Sequence, residues 1–232
     1  MQTPIAFAGL ALFADLSGAL WLPESATLVV ADLHLEKGSS FATRGVPLPP
    51  YDSLATLIRL EEACTRLQPR QVVALGDSFH DVEAASRLGP GVAERLAGLL
   101  DRVDWLWILG NHDPRPPDRF AGRVAETLAL GPLLLRHEPE AAPAPGEVAG
   151  QLHPKAGVVV RGRRIGARCF VSDGKRVLMP AFGAYAGGLD VFEAPIRSLF
   201  PEGFHAYLLG RDSVHAISAS RLTPGALPRL RR

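Results

Sequence analysis

The sequence predicts an α/β fold, a sandwich of two β-sheets flanked by α-helices. Three observations carry that reading. Between residues 26 and 113, apolar β-rich runs alternate with helix-like stretches, as in a largely parallel sheet. Beyond residue 123, short strand-like runs follow one another between turn signals. The chain also has 232 residues, 47% hydrophobic and 21% charged, enough to bury one large core and too apolar for whole-chain disorder.

The elements follow in order. Residues 4–14 (PIAFAGLALFA) form a buried strand and not a signal peptide, because no basic segment precedes them and they run into Asp15 without a cleavage site. ATLVVADLH (26–34) is the first parallel strand. A Gly/Pro-rich loop leads from it to a helix over Tyr51–Leu67, with Leu54, Leu57, Ile58 and Leu60 at helical spacing. QVVALGD (71–77) is the second strand, followed by a helical stretch with Val92, Leu96, Leu99 and Leu100 on one face. WLWILGNHD (105–113) is the third. VAETLAL, LLLRHE, AGVVVRG, ARCFVSD, RVLMP, AYLLG and VHAIS are then short strands, punctuated at Gly131-Pro132, Asp173-Gly174 and Arg211-Asp212. The Pro/Ala stretch 139–146 is a loop inside the domain, since strands resume on both sides. The expectation is a single domain over 1–232 with a loose tail from about 222, ending in Arg229, Arg231 and Arg232.

No window approaches the ~20 consecutive apolar residues of a membrane span. Cys64 and Cys169 make neither a disulfide framework nor a metal-ligand spacing, and read as two small buried hydrophobes in a reducing cytoplasm. The formal net charge of +1 hides an asymmetry. Residues 155–176 carry seven basic side chains (Lys155, Arg161, Arg163, Arg164, Arg168, Lys175, Arg176) against Asp173 alone. That run is either a polyanion contact or a solvated strand face.

The chemistry lies at the carboxyl ends of the parallel strands, where ligands collect in α/β sheets. The first strand offers Asp32 and His34, two residues apart and so on one face of an extended chain. The second ends in Gly76-Asp77, and the third in Gly110-Asn111-His112-Asp113. His137 ends a later strand, and His153 lies in the turn Gly150-Gln151-Leu152-His153. Taken singly, Asp32 and Asp77 are ordinary helix caps, Asn111 a turn residue, and each histidine a hydrogen-bonded strand residue. As an ordered set of carboxylate, imidazole and amide they point to a metal site. Such donors suit Mn²⁺, Fe or Zn²⁺ better than Ca²⁺ or a thiolate metal.

That order of motifs resembles the calcineurin-like metallophosphoesterases over nearly the whole chain. The strings DLHLEKGSSFA (32–42), LGDSFHD (75–81), GNHDP (110–114), RHEP (136–139), LHPKA (152–156) and PAFGAY (180–185) resemble the bacterial ligase-associated DNA-repair phosphoesterases. The resemblance implies the calcineurin-like two-sheet sandwich and a two-metal site using Mn²⁺. Asp32, His34 and His153 would hold one ion, Asn111 and His137 the other, and Asp77 would bridge. His112 would stand beside the scissile phosphate with Asp113 orienting it. The activity implied is endonucleolytic cleavage of single-stranded DNA in repair, in association with a DNA ligase, a helicase and an exonuclease.

One position departs from that pattern. The family's turn reads G-H-x-H, and here Gln151 replaces the first histidine: either its neutral oxygen substitutes as a weaker donor to the second metal, or that ion binds only with substrate phosphate. Lys37 and Arg44, after the first motif, would hold flanking phosphates or lie on a solvated loop. Lys155, Arg161 and Arg163 would do so from the basic run. Phe41, Tyr51, Phe182 and Tyr185 would stack on bases or pack in the core. His80 and Asp81 would support the site or start a helix, and His205 and His215 would be structural. Two rival readings are a phosphatase or diesterase of a small nucleotide or lipid-linked substrate, and a catalytically lapsed nucleic-acid-binding scaffold.

Overall fold

Two consecutive hairpins start the first sheet in the computed structural model, which describes residues 2–225 apart from 8, 47, 116–117 and 143–145. The expected C-terminal tail, with Arg229, Arg231 and Arg232, lies mostly outside the described residues. In the first sheet the strands run in chain order: β1 (Gln2–Phe7), β2 (Leu10–Asp15), β3 (Leu20–Leu22), β4 (Thr27–Ala31), β5 (Gln71–Leu75), β6 (Asp104–Ile108) and β7 (Arg123–Ala125). Pairing is antiparallel from β1 to β4 and parallel from β4 to β7.

The second sheet has the order β15–β14–β12–β13–β10–β9–β8, with β11 paired to β12. Its strands are β8 (Thr127–Leu130), β9 (Leu133–Arg136), β10 (Glu147–Ala149), β11 (Lys155–Val160), β12 (Arg163–Ser172), β13 (Arg176–Leu178), β14 (His205–Leu209) and β15 (Val214–Ser218). The helices are α1 (Lys37–Thr43), α2 (Asp52–Leu67), α3 (Ala84–Arg87), α4 (Pro90–Leu100) and α5 (Ala194–Arg197).

Side-chain alternation explains how the layers stack. Val29 and Ala31 of β4, with Val73 and Leu75 of β5, pack against Leu135, Val148, Phe170 and Val177 of the second sheet. Their neighbours Leu28, Val30, Val72 and Ala74 point the other way, onto Leu57 and Leu60 of α2 and Leu96 and Leu99 of α4. Strands buried on both faces read as unbroken apolar runs, which is why this region was legible. The outer face of the second sheet is closed by Val191, Ile196, Phe200 and Phe204 against Val171, Leu178 and Leu208.

Three expectations change. Residues 4–14 are two strands, turned at Gly9 with φ +75°, because both arms of the hairpin bury apolar side chains and no polar residue marks the turn. VAETLAL is likewise split: Arg123–Ala125 closes the first sheet and Thr127–Leu130 opens the second. The Gly/Pro-rich loop after β4 contains α1, whose Gly38 amide donates to Asp52 Oδ2 at the start of α2 (2.9 Å).

Candidate metal centre

The parallel strands converge at their carboxyl ends. Asp32 follows β4 directly and Asp77 follows β5 after Gly76. Asn111, His112 and Asp113 lie just beyond β6. The second sheet delivers His137 at the end of β9, and Gln151 and His153 just beyond β10. Main-chain bonds carry the parallel pairing past the strand ends: Asp32 N to Gly76 O (3.2 Å), His34 N to Asp77 O (2.9 Å) and Leu35 N to Ser78 O (2.9 Å). Gly150 N to His137 O (2.9 Å) ties the two contributions of the second sheet together.

Backbone strain is concentrated here. Asp32 (φ +54°), His34 (+44°), Asp77 (+49°), Gln151 (+64°) and His153 (+46°) all adopt the left-handed conformation. That conformation costs a non-glycine residue about 1–2 kcal/mol and persists only where surrounding structure imposes it. Asp32 and His34 therefore meet through a left-handed turn and not, as their spacing implied, along one face of an extended strand. Neither Asp32 nor Asp77 caps a helix; the residues before α1 and α3 are Glu36 and Glu83.

The side chains form two adjoining groups, Asp32–His34–His153 and Asp32–Asp77–His137, whose ligand atoms lie within 4.8 Å of one another in each group. His153 Nε2 is 3.3 Å from Asp32 Oδ1 and 3.4 Å from His34 Nε2. His34 Nε2 is 3.9 Å from Asp77 Oδ2. His137 Nδ1 contacts the Leu75 carbonyl (3.1 Å), which can only accept, so this nitrogen carries the proton. Its Nε2 faces Asp77 Oδ1 (3.3 Å) and Asn111 Oδ1 (3.1 Å), which is where a divalent cation would be held. Burial, reinforced by His153, Lys37 and the neighbouring imidazoles, drives the His34 pKa down to about 2, so its ring is neutral and its lone pair free. Burial, with Asp32 beside it, raises the Asp77 carboxyl above the usual range. Buried carboxylates facing neutral imidazole nitrogens fit a divalent cation, whose charge would compensate their desolvation.

Gln151 donates its main-chain N–H to the Asp32 carboxylate (3.1 and 3.3 Å), while its side-chain Oε1 is buried with no hydrogen-bond partner among the described residues. A side chain at Gly76 would collide with the His137 ring, and one at Gly150 would come within 2.7 Å of Asp32 Oδ2. These glycines are where the two sheets press their ligand turns together.

His112 sits at the mouth, its side chain 40% exposed. Its Nδ1 contacts the His80 carbonyl (2.7 Å) and must donate to it, leaving Nε2 open 3.9 Å from Asp77 Oδ2. The His80 ring stacks on it at 5.2 Å between centroids. Asp113 makes no direct hydrogen bond to the His112 ring. Asp113 Oδ2 instead accepts from the amides of Ser78 (2.7 Å) and Phe79 (3.1 Å), fixing the loop that bears the His80 carbonyl. Burial pushes Asp113 up to about 7, and the Asp77 charge adds to that against the lowering effect of the two amides. The histidine's acceptor is main chain, so no sequence pattern announced it.

The cations separate by position. Lys37 opens α1, half-buried, and burial lowers its pKa against the fields of Asp52 and Asp77. Lys155 begins β11 two residues past His153, whereas Arg44 is exposed beyond α1. Arg161 and Arg163 lie at the far turn of the β11–β12 hairpin, where Val160 pairs with Arg163. Five residue steps at ~3.4 Å put that turn roughly 17 Å from Lys155, so the structure does not bring these arginines to the centre. Arg176 is fully buried against Glu147, and Lys175 pairs with Glu202 (3.3 Å). The basic run is not one patch.

Among the aromatics, Phe182 is buried beneath Arg59 and cannot stack on a base. Tyr185 donates its hydroxyl to Pro49 O (2.8 Å) and Tyr51 is exposed. Phe41 lies beside His80 (6.1 Å between centroids). Asp81 pairs with Arg87 (2.7 Å), and His205 and His215 lie in β14 and β15.

The family model for the calcineurin-like phosphoesterases matches residues 26–159, more than half the chain, from the start of the Asp32 strand to beyond His153. Among solved structures, the Pseudomonas putida nuclease MPE is similar at 27% identity over 94% of this chain and 100% of that one, with a TM-score of 0.72. The E. coli phosphoesterase YfcE is similar at 16% identity over 83% of this chain and 98% of that one, with a TM-score of 0.40. No curated protein matches the sequence. With two metal-competent Asp/His groups at the carboxyl ends of its strands, the chain belongs to the calcineurin-like phosphoesterase family and is a metallophosphoesterase, hydrolysing phosphoesters with divalent metal ions.

Proposed function

We propose that the protein is a Mn²⁺-dependent endonuclease of single-stranded DNA, acting in DNA repair in the cytoplasm. The observation that carries this reading is the likeness, along nearly the whole chain, to a structure described as a nuclease. The site adds support: His112 is 40% exposed at its edge, and the partly exposed Lys37 and Lys155 stand beside it as cations for a phosphate chain.

In this reading Asp32, His34 and His153 would hold one cation, His137, Asn111 and Gln151 would hold a second, and Asp77 would serve both. Bound cations supply charge neutralisation at the phosphate and a water acidic enough to act near neutral pH. The remaining chemistry belongs to the chain. His112, fixed through Nδ1 by the His80 carbonyl, presents Nε2 to the departing alkoxide; in its doubly protonated form it gives up the Nε2 proton there and is left neutral with Nδ1–H still bonded, a general-acid contribution of ~10²–10⁴-fold. Asp113 keeps the Ser78–His80 turn in place, and so keeps His112 aimed. Asp32, doubly bonded by the Gln151 amide, is held in one rotamer before any cation arrives.

Metal-stripped protein incubated with an internally labelled single-stranded oligonucleotide, with single divalent cations restored in turn, tests this reading. Internal cleavage restored best by Mn²⁺ is the expected result. Hydrolysis confined to aryl phosphate esters, with the oligonucleotide intact under every cation, would overturn it.

A further inference from the structure

Four arginines away from the centre each meet a carboxylate: Arg66 with Asp15, Arg87 with Asp81, Arg95 with Glu61 and Arg176 with Glu147. Three partly buried cations beside it do not. Among the described residues, Lys155, Arg168 and Arg59 form no salt bridge, although they adjoin one another. Lys155 pairs directly with Arg168 across the base of the hairpin, which sets their side chains on one face. Arg168 Nη1 donates to the carbonyls of Ala181 (2.6 Å) and Phe182 (3.5 Å). From α2, Arg59 Nη2 donates to the same Phe182 carbonyl, and its Cζ stands 4.6 Å over the Phe182 ring.

Two guanidiniums thus share one carbonyl, and each spends only one nitrogen on the described residues. Arg59 Nε is buried with no partner. Burial and then Arg168 bring the Arg59 pKa down to about 10 against the opposing field of Glu62, with which Arg59 forms no ion pair. Lys155 passes so close to Gly188 that a Cβ there would stand 2.8 Å from its Cε. A folded protein does not gather desolvated, unmatched cations for stability, since each costs free energy without a counter-charge. A phosphodiester supplies that counter-charge, and its paired oxygens match the guanidinium fork.

We propose that Lys155, Arg168 and Arg59 form a track that holds the backbone phosphates of single-stranded nucleic acid on one side of the scissile bond, leading from His153 toward α2. The track rests on the nuclease reading above and names the residues that give it a polyanionic substrate. It runs along the base of the hairpin and away from Arg161 and Arg163.

The test measures kcat/KM of the manganese-loaded protein for a single-stranded oligonucleotide at several salt concentrations. Each phosphate contact on a single strand contributes ~0.7 to the log–log salt slope, so Arg59→Gln with Arg168→Gln lowers the slope by about 1.4. KM rises about tenfold or more, as charge-assisted bonds are lost. Lys155→Gln lowers the slope by ~0.7 and touches none of the bonds to the 181–182 carbonyls, so it answers the question even where the double variant does not fold. Parent-like slopes in both would overturn the track while leaving the nuclease intact. So would reduced manganese content with an unchanged slope, which would make the arginines positioning residues for the Asp32 turn. A parent that hydrolyses a small aryl phosphodiester but no oligonucleotide would overturn the nuclease reading and the track together.

Discussion

His112 is held by one nitrogen and left open at the other, and that asymmetry separates catalysis from metal binding at the scale of single residues. His112→Ala is expected to lower kcat by ~10²–10⁴-fold while metal content, read by elemental analysis, stays at the parental level. Parallel loss of both would make His112 a ligand. Gln151 offers a buried oxygen with no protein partner. Gln151→His supplies an imidazole in its place and should raise affinity for the second Mn²⁺ in calorimetric titration. Gly150→Ala puts a methyl 2.7 Å from Asp32 Oδ2 and should cut metal affinity by tenfold or more without unfolding the protein. The convergence of Asp32, His34, Asp77, His137 and His153 was legible because strand ends place side chains predictably. The His80 carbonyl that aims His112 was not, because a main-chain acceptor has no residue type.

Among elements, the strands that carry His137 and Gln151 are locked by a buried ion pair. Glu147 of β10 and Arg176 of β13 are both fully buried and bonded to each other, and Arg136 of β9 lies 3.7 Å from Glu147, one residue before His137. Removing one partner leaves a desolvated charge, so Arg176→Met should destabilise by ~3–5 kcal/mol in urea unfolding. Arg176→Met with Glu147→Leu should recover most of that. Equal losses in the single and double variants would show that packing volume, and not charge, is what matters there. Arg176 read as part of a surface run because sequence proximity hides direction. Successive strand residues face opposite ways, and a six-residue strand carries its far end well clear of the metal.

At the scale of the whole molecule, Asp15 at the end of β2 joins the first sheet to α2 through Arg66, with Nη1 and Nη2 at 2.8 and 2.9 Å from its oxygens. Burial alone would raise this carboxyl, but the Arg66 and Ser17 bonds outweigh it and hold the pKa below the ordinary carboxylate value. A depressed folded pKa contributes stability that is present above the unfolded value, ~4 for Asp, and is lost as pH falls through the folded one. The melting temperature of the parent should therefore fall more steeply below about pH 4 than that of Asp15→Asn; parallel profiles would contradict it. Layer order was legible, since β4, β5 and β6 are apolar on both faces. The exchange of sheets at Glu126 was not, because a single residue divides β7 from β8 and no Gly, Pro, Asn or Asp marks the turn. Internal cleavage of DNA is the activity proposed for this site. Covalently closed circular single-stranded DNA incubated with the protein and Mn²⁺, beside an Asp77→Ala preparation, tests it most directly. Linear and shortened products from the parent alone are predicted; circles left intact by both would contradict it.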